Sequence, residues 1–339
     1  MELEKKNIHA PELYGNYWLN SEPLSIQELK GQVVLIDFWD YTCINCIRTL
    51  NYIQEWYQKY QSFGLTVIGV HTPEFDFARS PELVQKAIVR FEVTYPVMLD
   101  NDAIIWNTYS IRHWPTRCLI DRDGYIRFIQ HGEGGYLEFE RAIQQLLIDA
   151  GFHGELPPLT PPHRIEDQAG VVYFRPTREL YFGYLRGALG NPEGYNPEST
   201  IEYSDPGIYL PERFYMTGKW MNDRQYMRFN GDNGESGAIL LPYQALEVHA
   251  VMRSRDGSIC EVNLYQNSQP ISRQARNEDI VLLSSGTTSV FVDTPRMYQL
   301  VRNLEFGSHI LKLVTSNPNL EIYSFTFTTS VIPELISSN

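Results

Sequence analysis

The sequence has few cysteines, few basic residues and no long apolar run. It carries 4 cysteines in 339 residues, and 28 Lys and Arg stand against 41 Asp and Glu, for a net charge of −13. Nucleic acids and anionic membrane surfaces are poor partners for such a chain, because neutralising phosphate needs a basic surface. No apolar stretch approaches the roughly 20 residues of a bilayer span, which predicts no membrane insertion.

Two of the cysteines form the tetrapeptide Cys43-Ile44-Asn45-Cys46, which follows an apolar run over residues 33–39 and opens a helical stretch. A strand that ends here delivers Cys43 to the first turn of a helix, where free N–H groups and the helix dipole favour thiolate over thiol. Cys46 lies one turn later on the same side. The pattern favours a redox-active pair that opens and closes by thiol-disulfide exchange, with Cys43 as nucleophile and Cys46 as resolving thiol.

Other interpretations of the pair stay open. Zinc usually needs four ligands, whereas the remaining cysteines, Cys118 and Cys260, are solitary and far apart, so we expect no metal. A structural disulfide ordinarily links distant segments. Cys118 lies on an apolar strand and reads as a buried, inert thiol, with a regulatory or third redox cysteine as the alternative. Cys260 alternates with Val262 and Leu264, which indicates a core position.

A proline-rich stretch over residues 156–162 divides the chain. Paired prolines deny backbone donors to regular structure and hold the chain extended, so we interpret residues 154–168 as a semi-rigid linker. Residues 1–153 and 169–339 are then two domains.

In the first domain, strand and helix patterns alternate, which indicates parallel strand pairs and a mixed sheet flanked by helices. A hairpin closes the domain. The predicted elements are strands at 33–39, 65–70, 95–98, 118–121 and 125–130, and helices at 46–63, 81–91, 100–109 and 139–150.

In the second domain, apolar residues alternate with polar ones, as in strands with one buried face. This pattern predicts an all-β antiparallel sandwich or jelly roll. Residues 307–313 and 323–327 resemble the closing strands of carbohydrate-binding modules. The predicted strands are 171–175, 246–253, 260–265, 289–293, 309–315 and 321–329.

The residues around the cysteine pair resemble a known family. Asp37-Phe38-Trp39 precedes Cys43 as in the thioredoxin signature, and Trp114-Pro115-Thr116 before a hairpin is similar to the thioredoxin cis-proline loop. The segments 10–13 and 24–31 resemble the TlpA-like branch. Residues 43–50, 71–75 and 132–136 look most like the soluble C-terminal region of DipZ-type thiol-disulfide proteins, in which a β-sandwich follows the thioredoxin domain.

The resemblance implies a catalytic set of Cys43, Cys46, Asp37 and Pro115. Asp37 would accept the proton of Cys46, although an aspartate capping the strand end or facing the surface is the alternative. Pro115 would be cis and lie across the Cys43 sulfur, with an ordinary trans proline as the alternative.

A substrate groove is expected around Trp39, Trp114, Thr116, His71 and Glu74. The two tryptophans would wall the site, with a core position as the alternative for either and at least as strong an interpretation for Trp39. His71 and Glu74 follow a parallel strand, at the edge where such sheets place ligands. A turn histidine beside an exposed glutamate is the more common explanation for that pair.

The expected function is thiol-disulfide exchange with protein or small thiol partners, and the disulfide Cys43–Cys46 replaces any bound cofactor. The electron donor would be of the thioredoxin or membrane-reductase type. Residues 36–43 lack the Pro-x-x-x-Thr-x-x-Cys motif of a peroxidase. The alternative is a binding protein whose sandwich holds a glycan or polypeptide with an accessory redox domain. Candidate contact residues are Tyr181, Tyr184, Trp220 and Tyr226, although aromatic residues in sandwiches more often fill the core.

The start of the chain, Met1 to Asn7, is charged and does not read as a signal peptide. The sequence as given therefore predicts a cytoplasmic protein. A periplasmic or other extracytoplasmic location is the alternative if an export segment was removed, because TlpA- and DipZ-like proteins usually act there.

Overall fold

The structure is a computed structural model that describes residues 3–15 and 17–335. The residues outside this description are Met1, Glu2, Asn16 and 336–339. They include the start of the first predicted domain, the end of the second, and the first two residues of the charged segment Met1 to Asn7. Contacts divide the chain into two units, Met1–Gly170 and Val171–Asn339. Each unit is built around its own sheet.

The first unit holds a six-stranded mixed sheet in the order β1-β4-β3-β2-β5-β6. The central strand β2 pairs in parallel with β3 and antiparallel with β5, and this mixed sheet confirms the prediction for the first domain. The strands are β1 (Trp18–Leu19), β2 (Val33–Trp39), β3 (Leu65–His71), β4 (Val97–Leu99), β5 (Thr116–Ile120) and β6 (Ile126–His131).

Among the described residues four α-helices accompany this sheet, and two of them begin three or more residues from the predicted start. The helices are α1 (Ile44–Tyr60), α2 (Pro81–Arg90), α3 (Ile104–Thr108) and α4 (Tyr136–Asp149). The third helix starts later than predicted because the Asp100 carboxylate accepts hydrogen bonds from the backbone N–H groups of Ile105 and Trp106. The fourth helix starts three residues earlier than predicted, directly after Gly135. The left-handed φ of 63° at Gly135 ends the preceding loop.

All seven residues of β2 are buried, so both faces of the sheet are covered. One face is an apolar cluster that includes Val34, Ile36 and Phe38. The alternate residues point to the opposite face, where Asp37 is buried together with a charged neighbour on β5, as described below. The buried charges of Asp37 and its neighbour therefore lie on the face opposite this apolar cluster.

The proline-rich stretch packs against the first unit. Residues 156–167, here named the strap, follow α4 and contact both α1 and α4. The buried Glu140 accepts hydrogen bonds from the Thr160 N–H at 2.7 Å and from the Lys59 ammonium at 2.7 Å. Lys59 also donates to the carbonyl of Pro158 at 2.6 Å. The strap is therefore fixed by side chains of the helices that cover the sheet.

The second unit holds an antiparallel sheet of eleven strands. Its helical segments, among the described residues, are short 3₁₀ turns such as Arg273–Ala275. The strands are β7 (Leu180–Tyr181), β8 (Thr200–Tyr203), β9 (Tyr215–Asn222), β10 (Met227–Phe229), β11 (Gly237–Ser254), β12 (Cys260–Gln266), β13 (Gln269–Pro270), β14 (Ile280–Leu282), β15 (Thr288–Val292), β16 (Arg296–Thr315) and β17 (Leu320–Thr328).

Two long strands, β11 and β16, organise this sheet and pair along most of their length, with register shifts near Ala245 and Val248. The strand predicted at 309–315 is the end of the 20-residue β16. The strand predicted at 171–175 is wrong, because Tyr173 makes only an isolated bridge there. The unit is mostly β, as predicted.

No helix in the described part of the chain combines the length and the apolar character that crossing a membrane requires.

Candidate functional site

The two cysteines of the tetrapeptide lie at the start of α1. Cys43 is the N-cap residue, and its Sγ accepts a hydrogen bond from the Cys46 N–H at 3.3 Å. Cys43 is partly exposed, whereas Cys46 is 1% exposed. Both cysteines are in the thiol form and are not joined by a disulfide. Burial, followed by the contact with Cys43, raises the pKa of the Cys46 thiol well above its usual value. Cys43 is therefore the accessible thiol of the pair, and Cys46 is the buried one.

Asp37 lies on β2 beneath α1 and is 1% exposed. Its Oδ1 has no hydrogen-bond partner among the described residues. Burial raises the pKa of the Asp37 carboxyl to about 7, although the nearby Arg117 lowers it in part. The alternative of a surface-facing or capping aspartate is wrong for this residue. A buried carboxyl with this pKa changes protonation near neutral pH.

Arg117 is a buried cation that the sequence analysis missed. It lies on β5 directly opposite Asp37 in the antiparallel register, and it is fully buried. Its guanidinium donates to the Gly134 carbonyl at 2.5 Å and stacks 5.0 Å from the Tyr136 ring. The signal available in the sequence is a single arginine within the apolar strand that follows Pro115.

Asp40 organises the loop that leads to Cys43, and it was also missed. Its buried carboxylate accepts hydrogen bonds from the N–H and hydroxyl of Thr42, each at 2.6 Å, and from the Glu74 N–H at 2.7 Å. Burial raises the pKa of this carboxyl, and the three hydrogen bonds oppose the shift. The Cys43 N–H donates to the Asp40 carbonyl at 3.2 Å. An aspartate two residues before a threonine is the local signal of such a turn.

The loop before β5 supplies the remaining predicted residues. The Trp114–Pro115 peptide bond is cis, as the resemblance implies. Trp114 is half-buried, and its indole N–H donates to the Thr72 carbonyl at 3.0 Å while its ring lies 4.2 Å from that of Trp106. Thr116 is fully buried, so it lines no open groove, and its hydroxyl donates to the His113 carbonyl at 2.8 Å.

His71 and Trp39 are core residues, which corrects the expected groove. His71 is the last residue of β3 and not part of a turn, and it is fully buried with its ring between Trp39 and Tyr41. Burial lowers the pKa of His71 to about 3, so the ring is neutral at physiological pH. Trp39 is likewise fully buried. Glu74 remains half-buried in the loop that Asp40 holds.

The other two cysteines lie in the interiors of their units. Cys118 is buried on β5, and burial raises the pKa of its thiol to about 12. Cys260 belongs to the apolar core of the second unit. Neither occurs in a cluster of metal-ligating side chains, and within residues 3–15 and 17–335 no group of three or more His, Cys, Asp or Glu forms one.

The aromatic residues proposed as contacts of the second unit have different environments. Trp220 is fully buried in the core and is excluded as a surface contact. Tyr181, Tyr184 and Tyr226 are partly exposed. The Arg186 guanidinium lies 3.7 Å from the Tyr181 ring.

Comparison with protein families gives one match in each unit. The AhpC/TSA family profile matches residues 8–129, and a profile described as a thioredoxin like C-terminal domain matches residues 177–328. Both matches lie within the units that the structure defines.

Among characterised proteins, DipZ of Mycobacterium tuberculosis is 33% identical over 94% of this chain. The chain spans only 42% of the length of that protein. The thiol-disulfide oxidoreductase ResA of Bacillus cereus is 31% identical over 38% of this chain and 71% of its own length. A thioredoxin-like protein solved in its oxidised form is 27% identical over 43% of this chain and 99% of its own, with a TM-score of 0.40.

Proposed function

This chain belongs to the family of thioredoxin-like thiol-disulfide oxidoreductases that includes ResA, and on that premise we propose that it exchanges disulfides with partner thiols through Cys43 and Cys46. The observation that carries the proposal is the pairing of a partly exposed thiol with a buried one at the start of α1, above a buried carboxyl. No other pair of cysteines in the described chain has this arrangement.

The reaction takes two steps. The Cys43 thiolate attacks one sulfur of a partner disulfide, a mixed disulfide forms, and the other partner sulfur leaves as a thiolate. Cys46 then gives its proton to Asp37 and attacks the Cys43 sulfur. The Cys43–Cys46 disulfide forms, the second partner sulfur leaves as a thiolate, and the partner has gained two electrons. With a reduced partner and an oxidised protein, the same steps run in reverse.

We propose protein thiols and disulfides as the substrates and no bound cofactor, since the cysteine pair itself carries the two electrons. A reductase of the thioredoxin or membrane type would restore the dithiol. The AhpC/TSA match covers this domain, yet residues 36–43 lack the Pro-x-x-x-Thr-x-x-Cys arrangement that a peroxidase would need.

Reduction of insulin disulfides by the full chain with dithiothreitol as electron source tests the activity. We expect wild-type protein to accelerate insulin precipitation and the Cys43→Ser variant to match the rate without protein. Equal rates for the two would exclude the proposal. Equilibration of the pair with glutathione then gives its reduction potential and the favoured direction of exchange.

A second function, binding of a polypeptide or glycan by the second unit, is supported by a cleft of about 530 Å³ within that unit. We propose that its antiparallel sheet is a sandwich of the carbohydrate-binding-module type and that this cleft holds the ligand. Aromatic rings and amide side chains together suit such ligands. Those lining the cleft are Tyr209, Tyr243, His309, Gln244 and Asn267.

Glycan arrays and peptide arrays probed with the full chain test this second function. We expect a bound class that is lost in Tyr209→Ala, a partly exposed position, with insulin reduction unchanged. Binding that survives this change would place the ligand elsewhere.

A further inference from the structure

Two buried charged residues, Asp37 and Arg117, lie side by side beneath α1, and the two exchange steps described above involve only Asp37. Asp37 and Arg117 are directly opposite residues of β2 and β5, so their side chains point to the same face of the sheet. Both are almost completely buried. No hydrogen bond joins them in the described chain, and Asp37 Oδ1 and Arg117 Nε and Nη1 have no partners there. Most buried polar groups in proteins have a hydrogen-bond partner, so these unpaired atoms need a physical explanation.

The position of Arg117 is fixed by its other contacts. Its Nη2 donates to the Gly134 carbonyl, and the flat guanidinium lies 5.0 Å from the rings of Tyr136 and Phe139. The Tyr136 ring in turn stacks on Tyr52 at 3.7 Å, and the Tyr52 ring stacks on His163 of the strap at 4.1 Å. The cation is therefore held in place without neutralising Asp37 through a direct bond.

The remaining charged and titratable groups nearby all favour a neutral Asp37 or act on Arg117. Cys46 on α1 and Tyr95 in the loop before β4 interact electrostatically with Asp37, and each becomes an anion when it loses a proton. Glu133 and Tyr136 interact with Arg117. Arg117 is thus the cation on the side of Asp37 that faces β5. Burial alone opposes the charged carboxylate, so this guanidinium is what lowers the pKa of Asp37 toward neutrality.

We propose that Arg117 is a positioning residue of the exchange reaction, whose buried guanidinium stabilises the ionised Asp37 so that Asp37 can take the proton of Cys46 in the resolving step. This inference rests on the proposed function. When the proton moves from Cys46 to Asp37, the negative charge moves from carboxylate to thiolate, and the fixed cation stays beside the acceptor. The Cys46 thiolate then attacks Cys43, the Cys43–partner bond breaks, and the partner leaves as thiolate.

The test uses the full chain and the aromatic disulfide dithiobis-nitrobenzoate, which releases one coloured thiolate when Cys43 attacks it and a second when Cys46 closes the ring. Stopped-flow absorbance resolves both steps across the pH range. The variant with both Cys43→Ser and Cys46→Ser reports any release from the two core thiols. We expect Arg117→Leu to slow the second step about tenfold at neutral pH and to move its pH midpoint up by about one unit, with the first step within about twofold.

Two further variants separate charge from packing. Arg117→Lys keeps the cation and should restore most of the midpoint. Arg117→Gln keeps an amide donor for the Gly134 carbonyl but lacks the charge, so it should behave like Arg117→Leu, and it carries the test if the leucine variant does not fold. An unchanged second-step pH profile in the neutral variants would overturn the proposal. So would a further slowing by Arg117→Leu in an Asp37→Asn background, where no carboxylate is left to stabilise.

A carboxyl NMR titration of Asp37 measures the same effect without any exchange reaction. Its midpoint should rise in Arg117→Gln and stay near the wild-type value in Arg117→Lys. If wild-type protein releases no second thiolate while the Asp37 midpoint still responds to Arg117, the exchange function fails and the electrostatic role stands. If the midpoint is indifferent to Arg117, the role assigned to this arginine fails.

Discussion

Each unit places an aspartate near an arginine, and the two pairs differ in their hydrogen bonds. In the second unit, Asp279 accepts a hydrogen bond from Arg296 at 2.7 Å and another from the Gln299 N–H at 2.9 Å. In the first unit, Asp37 and Arg117 face each other without such a bond, and Asp37 Oδ1 has no partner among the described residues. The Asp279 carboxylate is held in place by its hydrogen bonds, whereas Asp37 keeps an oxygen on which a proton can be placed.

The cysteines repeat this contrast. Cys46 lies beside a partly exposed thiol and interacts with the buried Asp37, whereas Cys260 lies among apolar side chains such as Val262 and Leu264. Both are buried, so burial alone does not distinguish a reactive thiol from an inert one. The neighbours distinguish them, because Cys46 lies beside the partly exposed thiol of Cys43, whereas Cys260 interacts with the carboxylates of Asp256 and Glu321 and, in the described chain, with no second thiol.

The largest expected effect is complete loss of exchange in Cys43→Ser, because no other thiol at the site is accessible to a partner disulfide. Cys46→Ser should instead accumulate mixed disulfides, since it keeps the attacking thiol and lacks the resolving one. Cys260→Ala in the second unit should leave the rate unchanged. Mass spectrometry of the intact chains after reaction with insulin distinguishes these cases. Equal trapping by the two serine variants would contradict the assigned order.

Asp37→Asn should slow the resolving step about 10²-fold while mixed-disulfide formation stays close to wild type, because only the second step needs the proton acceptor. The matched variant Asp279→Asn should change neither step. Stopped-flow measurement of both steps checks this. A normal resolving rate in Asp37→Asn would remove the carboxyl from the reaction.

Relative to wild type at neutral pH, Asp37→Asn should raise the free energy of unfolding and Asp279→Asn should lower it. The Asp37 pKa is raised to about 7 in the folded protein, so wild-type stability falls as the pH rises from about 4 through about 7, and Asp37→Asn escapes this loss. The variant should therefore gain up to about 4 kcal/mol above pH 7 and show little difference below pH 4. Asp279→Asn should be destabilised at pH 7 because it weakens the bond to Arg296. Urea unfolding of the reduced proteins at pH 4 and pH 8 measures both.

A smaller effect concerns lysines. Lys59→Met removes the cation that pairs with the buried Glu140, and it should lower the free energy of unfolding by about 3 kcal/mol, because a buried carboxylate loses the positive charge beside it. Lys219 in the second unit pairs with Asp232 and Glu235 at the exposed surface. Lys219→Met should leave the urea midpoint almost unchanged. Comparable shifts in the two variants would mean that Glu140 is less dependent on Lys59 than its burial indicates.

The sequence predicts the mixed sheet and the place of the cysteine pair because both depend on local patterns. Alternating strand and helix patterns locate β2, β3 and α1 within a few residues. The position of Cys43 at the start of α1 follows from the apolar run and the helical stretch around it.

Side-chain environment could not be predicted in the same way. An arginine within a strand ordinarily lies at the surface, so the sequence does not predict that Arg117 is buried. Its burial follows from the β2–β5 register, which places it opposite Asp37. His71 follows four apolar or small residues and precedes a threonine and a proline, which reads as the start of a turn. Pairing extends β3 through it instead.

The two prolines of the strap, Pro157 and Pro158, should tolerate substitution better than the helix residues that bind them. A proline has a carbonyl but no N–H, so residues 157 and 158 offer acceptors alone. Side chains of the two helices donate to these carbonyls. Gln144 donates to the Pro157 carbonyl at 2.8 Å, and Lys59 donates to the Pro158 carbonyl at 2.6 Å. Because a backbone carbonyl is the same in every residue, a saturation mutagenesis scan should find many acceptable residues at 157 and 158. Far fewer should be accepted at Gln144 and Lys59, where the side chain itself makes the bond.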